Sequence, residues 1–390
     1  MRLFGLLFSF LTFLKRYFIL IQNKTKAMNR INVRLGRRSY KILIQKDLDK
    51  LPRELKALNL GTDAVFVTNP VINSLFGNKL RKCLVKAGLR VKSAIMPDSE
   101  KAKSLKEIAK LLNILSTLDG KKKRLCIVAF GGGVIGDLAG FAASIYKRGI
   151  PYIQIPTTLL AQVDSAIGGK TAVDLLTGKN LVGSFYQPKF VYINIAFTKK
   201  LSRRDFNSGM AEVIKYAVIR DKQLFDFLED NRGAILKRDE NCLFEIVRRC
   251  AKIKADIVTI DEREEKAIRT ILNFGHTVGH AIETATGYSN LYSHGEAIGI
   301  GMIVASRISN RMGYLSRGDL LKIEKAIRSF GLPTRLKKIN IEKILKALAY
   351  DKKFIHGVTR FVLPTKIGKV VVKERIPQSL IHRELNRLAL

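Results

Sequence analysis

Cysteine is scarce. Cys83, Cys126, Cys242 and Cys250 stand far apart in 390 residues, with no Cys-x-x-Cys pair. A disulfide-stapled scaffold and a zinc ribbon are excluded, and a reducing compartment, the cytoplasm, is expected. Acid is scarce too: 33 Asp and Glu stand against 70 Lys and Arg, a balance of +37. Such a field attracts anions, whether phosphorylated metabolites, nucleic acid or acidic lipid. Basic patches interleaved with stacking aromatics are lacking, so no nucleic-acid partner is expected. No collagen period, heptad array or low-complexity tract occurs. No uncharged run at the N-terminus is long enough to span a bilayer: residues 3–14 form one of 12, and Lys15 and Arg16 end it. No small-x-small cleavage site follows. Residues 1–27, with five bases and no acid, read as a start placed too far upstream, an interfacial anchor or a signal lacking its site. Membrane contact is expected only if this leader is real.

What is present suffices for a large core, since 47% of residues are hydrophobic and 20 are Phe. Disorder is excluded, and the length allows two to three domains or one large enzyme. From Met28 the chain falls into two halves. In the first, strand signals at 31–35, 39–44, 64–68, 90–96, 125–130 and 152–156 alternate with helical periodicity at 71–88 and 104–118. This is the pattern of an α/β parallel sheet with crossover helices, a Rossmann-like nucleotide-binding domain over 28–197. The second half, 198–390, reads as a mainly α-helical domain, with amphipathic stretches at 206–219, 242–258, 277–286, 295–311 and 320–330. Strand signals return near 360–363 and 369–372.

Four places carry chemistry. Gly131-Gly132-Gly133-Val134-Ile135-Gly136-Asp137 follows a strand and opens a helix, where glycines let backbone approach a pyrophosphate and the helix end offers free N–H donors. Alone it is a weak signal, and here at least two strand–helix units precede it. Three of the five histidines, His276, His280 and His294, fall within 19 residues. Imidazole and carboxylate are the usual ligands of a catalytic zinc, so ligation by at least two of the three is expected. The third protein ligand could be Glu212 or Glu283; spacing does not decide. Basic residues beside glycines, at Tyr146-Lys147-Arg148-Gly149, Gly168-Gly169-Lys170-Thr171 and Gly178-Lys179-Asn180, suit a phosphate or carboxylate, though singly such clusters are usually ordinary loops. Asp164 occupies the position where a P-loop needs glycine, which argues against an NTPase. The run 261–266 reads as a solvated charge run.

The glycine loop, Pro156-Thr157-Thr158-Leu159-Leu160-Ala161-Gln162-Val163-Asp164-Ser165, Gly168-Gly169-Lys170-Thr171, Gly178-Lys179-Asn180, Ala211-Glu212-Val213-Ile214-Lys215, Leu272-Asn273-Phe274-Gly275-His276-Thr277-Val278-Gly279-His280-Ala281-Ile282-Glu283 and His294-Gly295-Glu296-Ala297 come in this order. Together, from about Met28 to Leu380, they resemble the 3-dehydroquinate synthase family. The resemblance implies conversion of 3-deoxy-arabino-heptulosonate 7-phosphate to 3-dehydroquinate and phosphate, the second step of the shikimate pathway. It implies bound NAD, a zinc or cobalt ion, and a homodimer. It places the metal on Glu212, His276 and His294, and so makes His280 a substrate or proton-relay residue. It places NAD against Asn69, Asp98, Ser99, Glu100 and Lys103, then Gly132, Gly133, Val134, Gly136 and Asp137. Further NAD contacts are Thr157, Thr158, Lys170, Lys179, Phe197, Thr198, Lys199 and Lys200. Substrate contacts are Arg148, Asp164, Lys170, Asn180, Lys215, Lys254, Arg269, Asn273, His280 and one of Lys352 or Lys353. Phosphate falls to Arg148 with Lys352 or Lys353, and carboxylate to Lys170 and Arg269.

The sequence departs from the family at Ser99, where glycine is usual, at one extra residue between Glu264 and Arg269, and at Asn194, where an acid is common. Rival readings are a related sugar phosphate cyclase of the valiolone or inosose type, and a metal-dependent alcohol dehydrogenase, which would release NADH and lacks this lysine set. A basic tether without enzymatic activity would show salt-steep DNA binding and no metal requirement.

Overall fold

The computed structural model describes residues 29–120, 124–175, 177–337, 339–354 and 360–389, with side chains for all but 350–354. The leader 1–27 and the side chains of Lys352 and Lys353 thus lie outside the described residues. Among the described residues nine strands precede residue 195: β1 (Arg30–Val33), β2 (Tyr40–Gln45), β3 (Asp63–Thr68), β4 (Arg90–Ile95), β5 (Leu125–Gly131), β6 (Tyr152–Pro156), β7 (Lys170–Leu175), β8 (Gly178–Phe185) and β9 (Phe190–Asn194). Seven form one sheet in the order β1-β2-β9-β6-β5-β3-β4. All its pairings are parallel except β1 with β2, so the expected parallel sheet carries one antiparallel edge.

The central strands are buried on both faces, which is why β5 reads as an unbroken apolar run. Alternate side chains serve two cores. Val65, Val67, Ile127 and Ala129 pack on the helices Leu105–Leu118 and Gly133–Ile145. Phe66, Val128 and Phe130 pack on the opposite face with Leu51, Leu55, Leu80 and Leu84. A third core joins Ile42, Ile44, Val191 and Ile193 of the sheet to the long helices Arg203–Arg220, Glu240–Ile260 and His294–Arg311.

The chain leaves β3 toward β4 at one edge and leaves β5 toward β6 in the opposite direction. The carboxyl ends of β3 and β5 therefore flank a topological switch point, where open α/β sheets bind ligands. Asn69 follows β3 and Gly132 follows β5 at this crevice.

Three local readings need correction. The helix expected over 71–88 is broken by a π turn, Asn73–Gly77, between Pro70–Ile72 and Asn78–Lys86. The clusters 168–171 and 178–180 are not wholly loops: Gly168 and Gly169 lead into β7 at Lys170, and Gly178 starts β8, the two strands forming a separate hairpin. Helices Leu51–Leu58, Lys222–Asp230, Ile341–Phe354 and Gln378–Asn386 add to those read from periodicity. The late strands are the hairpin β10 (Arg360–Lys366) and β11 (Lys369–Glu374). Among the described residues, no helix is long and apolar enough to cross a membrane.

Candidate active site between sheet and helices

A cleft of about 1310 Å³ opens at the switch point and runs between the sheet's carboxyl edge and the helices. On the sheet side the helix Gly133–Ile145 begins at Gly132 without a capping side chain, leaving its N–H donors for an anion. Asn69, Asp98, Ser99, Glu100, Lys103, Gly132, Gly133, Val134, Asp137, Thr157 and Thr158 line this end. Asn69 donates to Asp98, and the Lys103 ammonium bonds Asp137 at 2.8 Å and the side chain of Asn180.

The far end is built by two helices in glycine contact. A Cβ on Gly301 would lie 1.9 Å from the carbonyl oxygen of Gly275, and one on Gly279 would lie 2.6 Å from Ile298. This close crossing brings His276, first residue of the helix His276–Ala285, beside His294, first residue of His294–Arg311. A capping box of Ser293 and Glu296 secures the second of these ends. Glu212 reaches them from the buried helix Arg203–Arg220.

His276 Nε2 and His294 Nε2 each lie 3.4 Å from Glu212 Oε1. The remaining ring nitrogens have their own partners: His276 Nδ1 meets the Phe274 carbonyl at 3.2 Å, and His294 Nδ1 meets Glu283 Oε2 at 3.4 Å. Both Nε2 atoms are thereby turned toward the carboxylate, the arrangement of oriented metal ligands. A second grouping, His280, Glu283 and His294, shares His294. His294 can offer Nε2 to only one ion, and the two converging Nε2 atoms favour the Glu212 cage. The donor set of one carboxylate and two imidazoles is that of a catalytic zinc with an open position. Glu212 is 1% exposed, and among the described residues neither of its oxygens accepts a well-aligned hydrogen bond, although Lys215 stands in ion-pair contact with one. A divalent cation fits this cage. Burial works against charge on His294, but Glu212 and Glu283 hold it up to about 10. Burial, then His276 and His294, holds His280 down to about 3, so its ring is neutral.

Between the two ends lies a floor of charge. Asp164 Oδ2 pairs with Lys254 at 2.8 Å, and its Oδ1 lies 3.5 Å from Lys215. Although burial opposes it, Lys254 and Lys215 keep Asp164 ionised far below the usual range. Burial, helped by Arg269, pushes Lys254 down to about 8 against the pull of Asp164. Glu264 pairs with Lys170 at 2.6 Å and with Arg269 at 3.3 Å. Lys179 stands 3.5 Å from both Glu100 and Glu283 and 4.6 Å over the Tyr288 ring.

Most of the residues singled out in the sequence meet here, including Asn180, Asn273, Phe197 and Lys200. Four lie off the cleft. Arg148 is exposed on the turn after Ile145. Gly136 packs inward, where a Cβ would lie 2.9 Å from Gln154. Thr198 donates to the Ile195 carbonyl at 2.7 Å in the core, and Lys199 turns away to Glu240 at 2.6 Å. The run 261–266 is solvated only in part: residues 263–266 are exposed, but Asp261 and Glu262 turn inward. Asp261 is 2% exposed and accepts from the Arg269 N–H at 3.0 Å, and the Glu262 carbonyl accepts from the Arg269 guanidinium at 2.8 Å. Glu262 is itself clamped by Arg38 at 2.7 Å and by Gln187 at 3.0 Å. Tyr216, Gln187 and Tyr288 carried no sequence signal.

A switch-point crevice joined to a Glu–His–His cage defines a class, the nucleotide- and metal-dependent fold shared by sugar phosphate cyclases and iron-containing alcohol dehydrogenases. A 2-epi-5-epi-valiolone synthase from Streptomyces hygroscopicus subsp. jinggangensis 5008, solved with NAD+ and Zn2+ bound, superposes with TM-score 0.81 at 26% identity, over 90% of this chain and 96% of that one. A 2-deoxy-scyllo-inosose synthase complexed with carbaglucose-6-phosphate, NAD+ and Co2+ does so with TM-score 0.81 at 25% identity, over 92% and 99%. An iron-containing alcohol dehydrogenase, at TM-score 0.64 and 14% identity over 90% and 97%, shares the fold alone. Family models narrow the class: residues 93–208 match the 3-dehydroquinate synthase N-terminal family and 209–354 the C-terminal one. A 3-dehydroquinate synthase of Thermodesulfovibrio yellowstonii is 46% identical over 362 residues, 92% of this chain and 100% of that protein. That of Syntrophotalea carbinolica is 44% identical over 92% and 98%. The chain belongs to the 3-dehydroquinate synthase family.

Proposed function

We propose that this chain converts 3-deoxy-D-arabino-heptulosonate 7-phosphate to 3-dehydroquinate and phosphate, as a carbon–oxygen lyase with no net redox change. The observation that carries the proposal is the meeting, in one cleft, of an unblocked helix N-terminus, a Glu–His–His cage and buried lysines around Asp164. Identities of 46% and 44% to dehydroquinate synthases, against 26% and 25% to cyclases with other products, favour this substrate over the valiolone and inosose types.

Glu212, His276 and His294 are assigned to a zinc or cobalt ion. The start of Gly133–Ile145, with Lys103, Asp137, Thr157 and Thr158, is assigned to NAD. Bound there, NAD would supply a reversible hydride acceptor for C5 and the metal a Lewis acid for the C5 oxygen. The chain's own residues orient the substrate for these events. Lys170 and Arg269 hold its carboxylate, which must displace Glu264 from their ammonium and guanidinium. Asp164, Lys254 and Asn180 accept from or donate to its hydroxyls. Neutral His280, beside the cage, can take or pass a proton at an imidazole nitrogen. No protein base is assigned to the elimination, where the substrate's own phosphate takes the proton. Arg148 stands off the cleft in this chain, so its phosphate role is the least supported assignment. A division at 197/198, a homodimer and a cytoplasmic location complete the proposal; light scattering tests the dimer.

The test uses protein begun at Met28 and purified without chelator. Phosphate and dehydroquinate should form from the heptulosonate phosphate with catalytic NAD, without NADH accumulating, and EDTA should abolish both. A folded, metal-loaded protein that turns over a different sugar phosphate, or that accumulates NADH from an alcohol, would sink the assignment.

A further inference from the structure

Tyr216 is fully buried behind the cleft wall, one turn past Glu212 on the helix Arg203–Arg220. It touches two groups of the site at once. Its hydroxyl donates to Asp164 Oδ1, and the Lys215 ammonium stands 4.8 Å over its ring. The rest of Asp164 is already committed: Oδ2 pairs with Lys254 at 2.8 Å, and Lys254 also donates to the Asp164 carbonyl at 2.9 Å. Oδ1 is therefore contested between the Tyr216 phenol and the Lys215 ammonium, which waits 3.5 Å away. A charge-assisted donor outcompetes a neutral one where it can reach. Without the phenol, Lys215 would close on Oδ1 and leave Glu212, with which it is in ion-pair contact. Burial and the Asp164 charge keep the phenol protonated well above its ordinary range, so it donates throughout the working pH.

We infer that Tyr216 is a positioning residue: from outside the cleft it caps Asp164 Oδ1, keeps Asp164 and Lys215 apart, and aims both at the substrate. The inference rests on the proposed function, in which those two side chains face a sugar phosphate. Asp164 lies between Lys254 and Lys215 on the cleft floor, so a small rotation there moves two donors and an acceptor together.

The test is Tyr216→Phe, which keeps the ring over Lys215 and deletes only the hydroxyl. Phosphate release should show kcat lowered about tenfold to a hundredfold, the cost of a misplaced orienting group. KM should stay within about threefold and bound zinc should be unchanged, which a merely structural lesion would not respect. Incorporating p-aminophenylalanine at 216 restores a donor at the same place and should return most of kcat. In an Asp164→Ala background, Tyr216→Phe should add no further loss, because the group it positions is gone. A kcat within twofold of wild type, equal losses in both backgrounds, or no recovery with the amino analogue would each overturn the inference. If Tyr216→Phe fails to fold, the amino analogue decides by itself: folded and inactive refutes the role. Wild-type protein that releases no phosphate refutes the proposed function and this inference together, whereas active wild type with an unaffected variant refutes only the latter.

Discussion

At the residue scale the site is a set of charges that only its neighbours make tolerable. His294 shows this most directly. Held between Glu212 and Glu283, it keeps its proton to about pH 10 in metal-stripped protein, whereas in the unfolded chain it loses it near 6.5. The native state therefore binds the extra proton across that window, and stability falls as pH rises through it. Lys254 acts in the opposite sense: it titrates near 8 when folded and near 10.5 unfolded, so its contribution rises with pH between those values. The two offset each other between about pH 8 and 10, which concentrates the loss between about 6.5 and 8. Urea midpoints of EDTA-treated protein should fall over that interval and then level off; a rise there would refute the assignment of the His294 proton. The same proton must leave when a metal takes Nε2. Calorimetry at pH 8 in two buffers of different ionisation enthalpy should record about one proton released per zinc.

At the scale of elements, the cage depends on how closely two helices cross. Gly275, Gly279 and Gly301 leave no room for a side chain, and the helix starts that carry His276 and His294 meet for that reason. Gly301→Ala sets a methyl against the Gly275 carbonyl oxygen and must spread the pair. The expected outcome is loss of stoichiometric zinc with NAD binding retained, because the end proposed for NAD rests on β3, β5 and the helix Gly133–Ile145. Metal analysis after dialysis, with a parallel NAD titration, separates the two; full zinc content in the variant would show that the crossing does not set the cage. The hairpin of β7 and β8 is the counterpart on the sheet side. It carries Lys170, Lys179 and Asn180 to the cleft, and its anchor is remote: the Gly168 N–H, just before β7, donates to the hydroxyl of Tyr40 in β2 at 3.0 Å.

At the scale of the whole molecule, the charge of +37 is not a property of the cleft. Its lining balances cations such as Lys103, Lys170, Lys215 and Lys254 with acids such as Asp98, Asp137, Asp164 and Glu264. The excess therefore lies elsewhere, where it acts on solubility and encounter more than on bound substrate. Metal binding should matter more to the molecule as a unit. The cage draws on three helices that share one core, so an ion held there would tie those helices together. Zinc in about thousandfold excess over Kd should stabilise the protein by about 4 kcal/mol relative to EDTA-treated samples. Urea unfolding in the two conditions measures this, and coincident curves would mean the ion is not held by the native fold.

Read alone, the amino-acid order determined the chemistry that could be present: a glycine-rich strand-to-helix turn, three clustered histidines, lysines beside glycines and a parallel α/β half before a helical one. These signals are local, set by backbone freedom, ligand type and periodicity, so they survive without a fold. Tertiary structure alone decided which groups face each other. Sequence spacing left Glu212 and Glu283 as equal candidates, and the two ring nitrogens of His294 separate them, one toward each acid. The run 261–266 looks solvated because charges ordinarily stay in water, and residues 263–266 are exposed; Asp261 and Glu262 turn inward because buried Arg269 needs the Asp261 carboxylate and the Glu262 carbonyl. Tyr216 is silent in sequence for the same reason: its partner Asp164 lies 52 residues away, and only packing brings a phenol to a carboxylate across that separation.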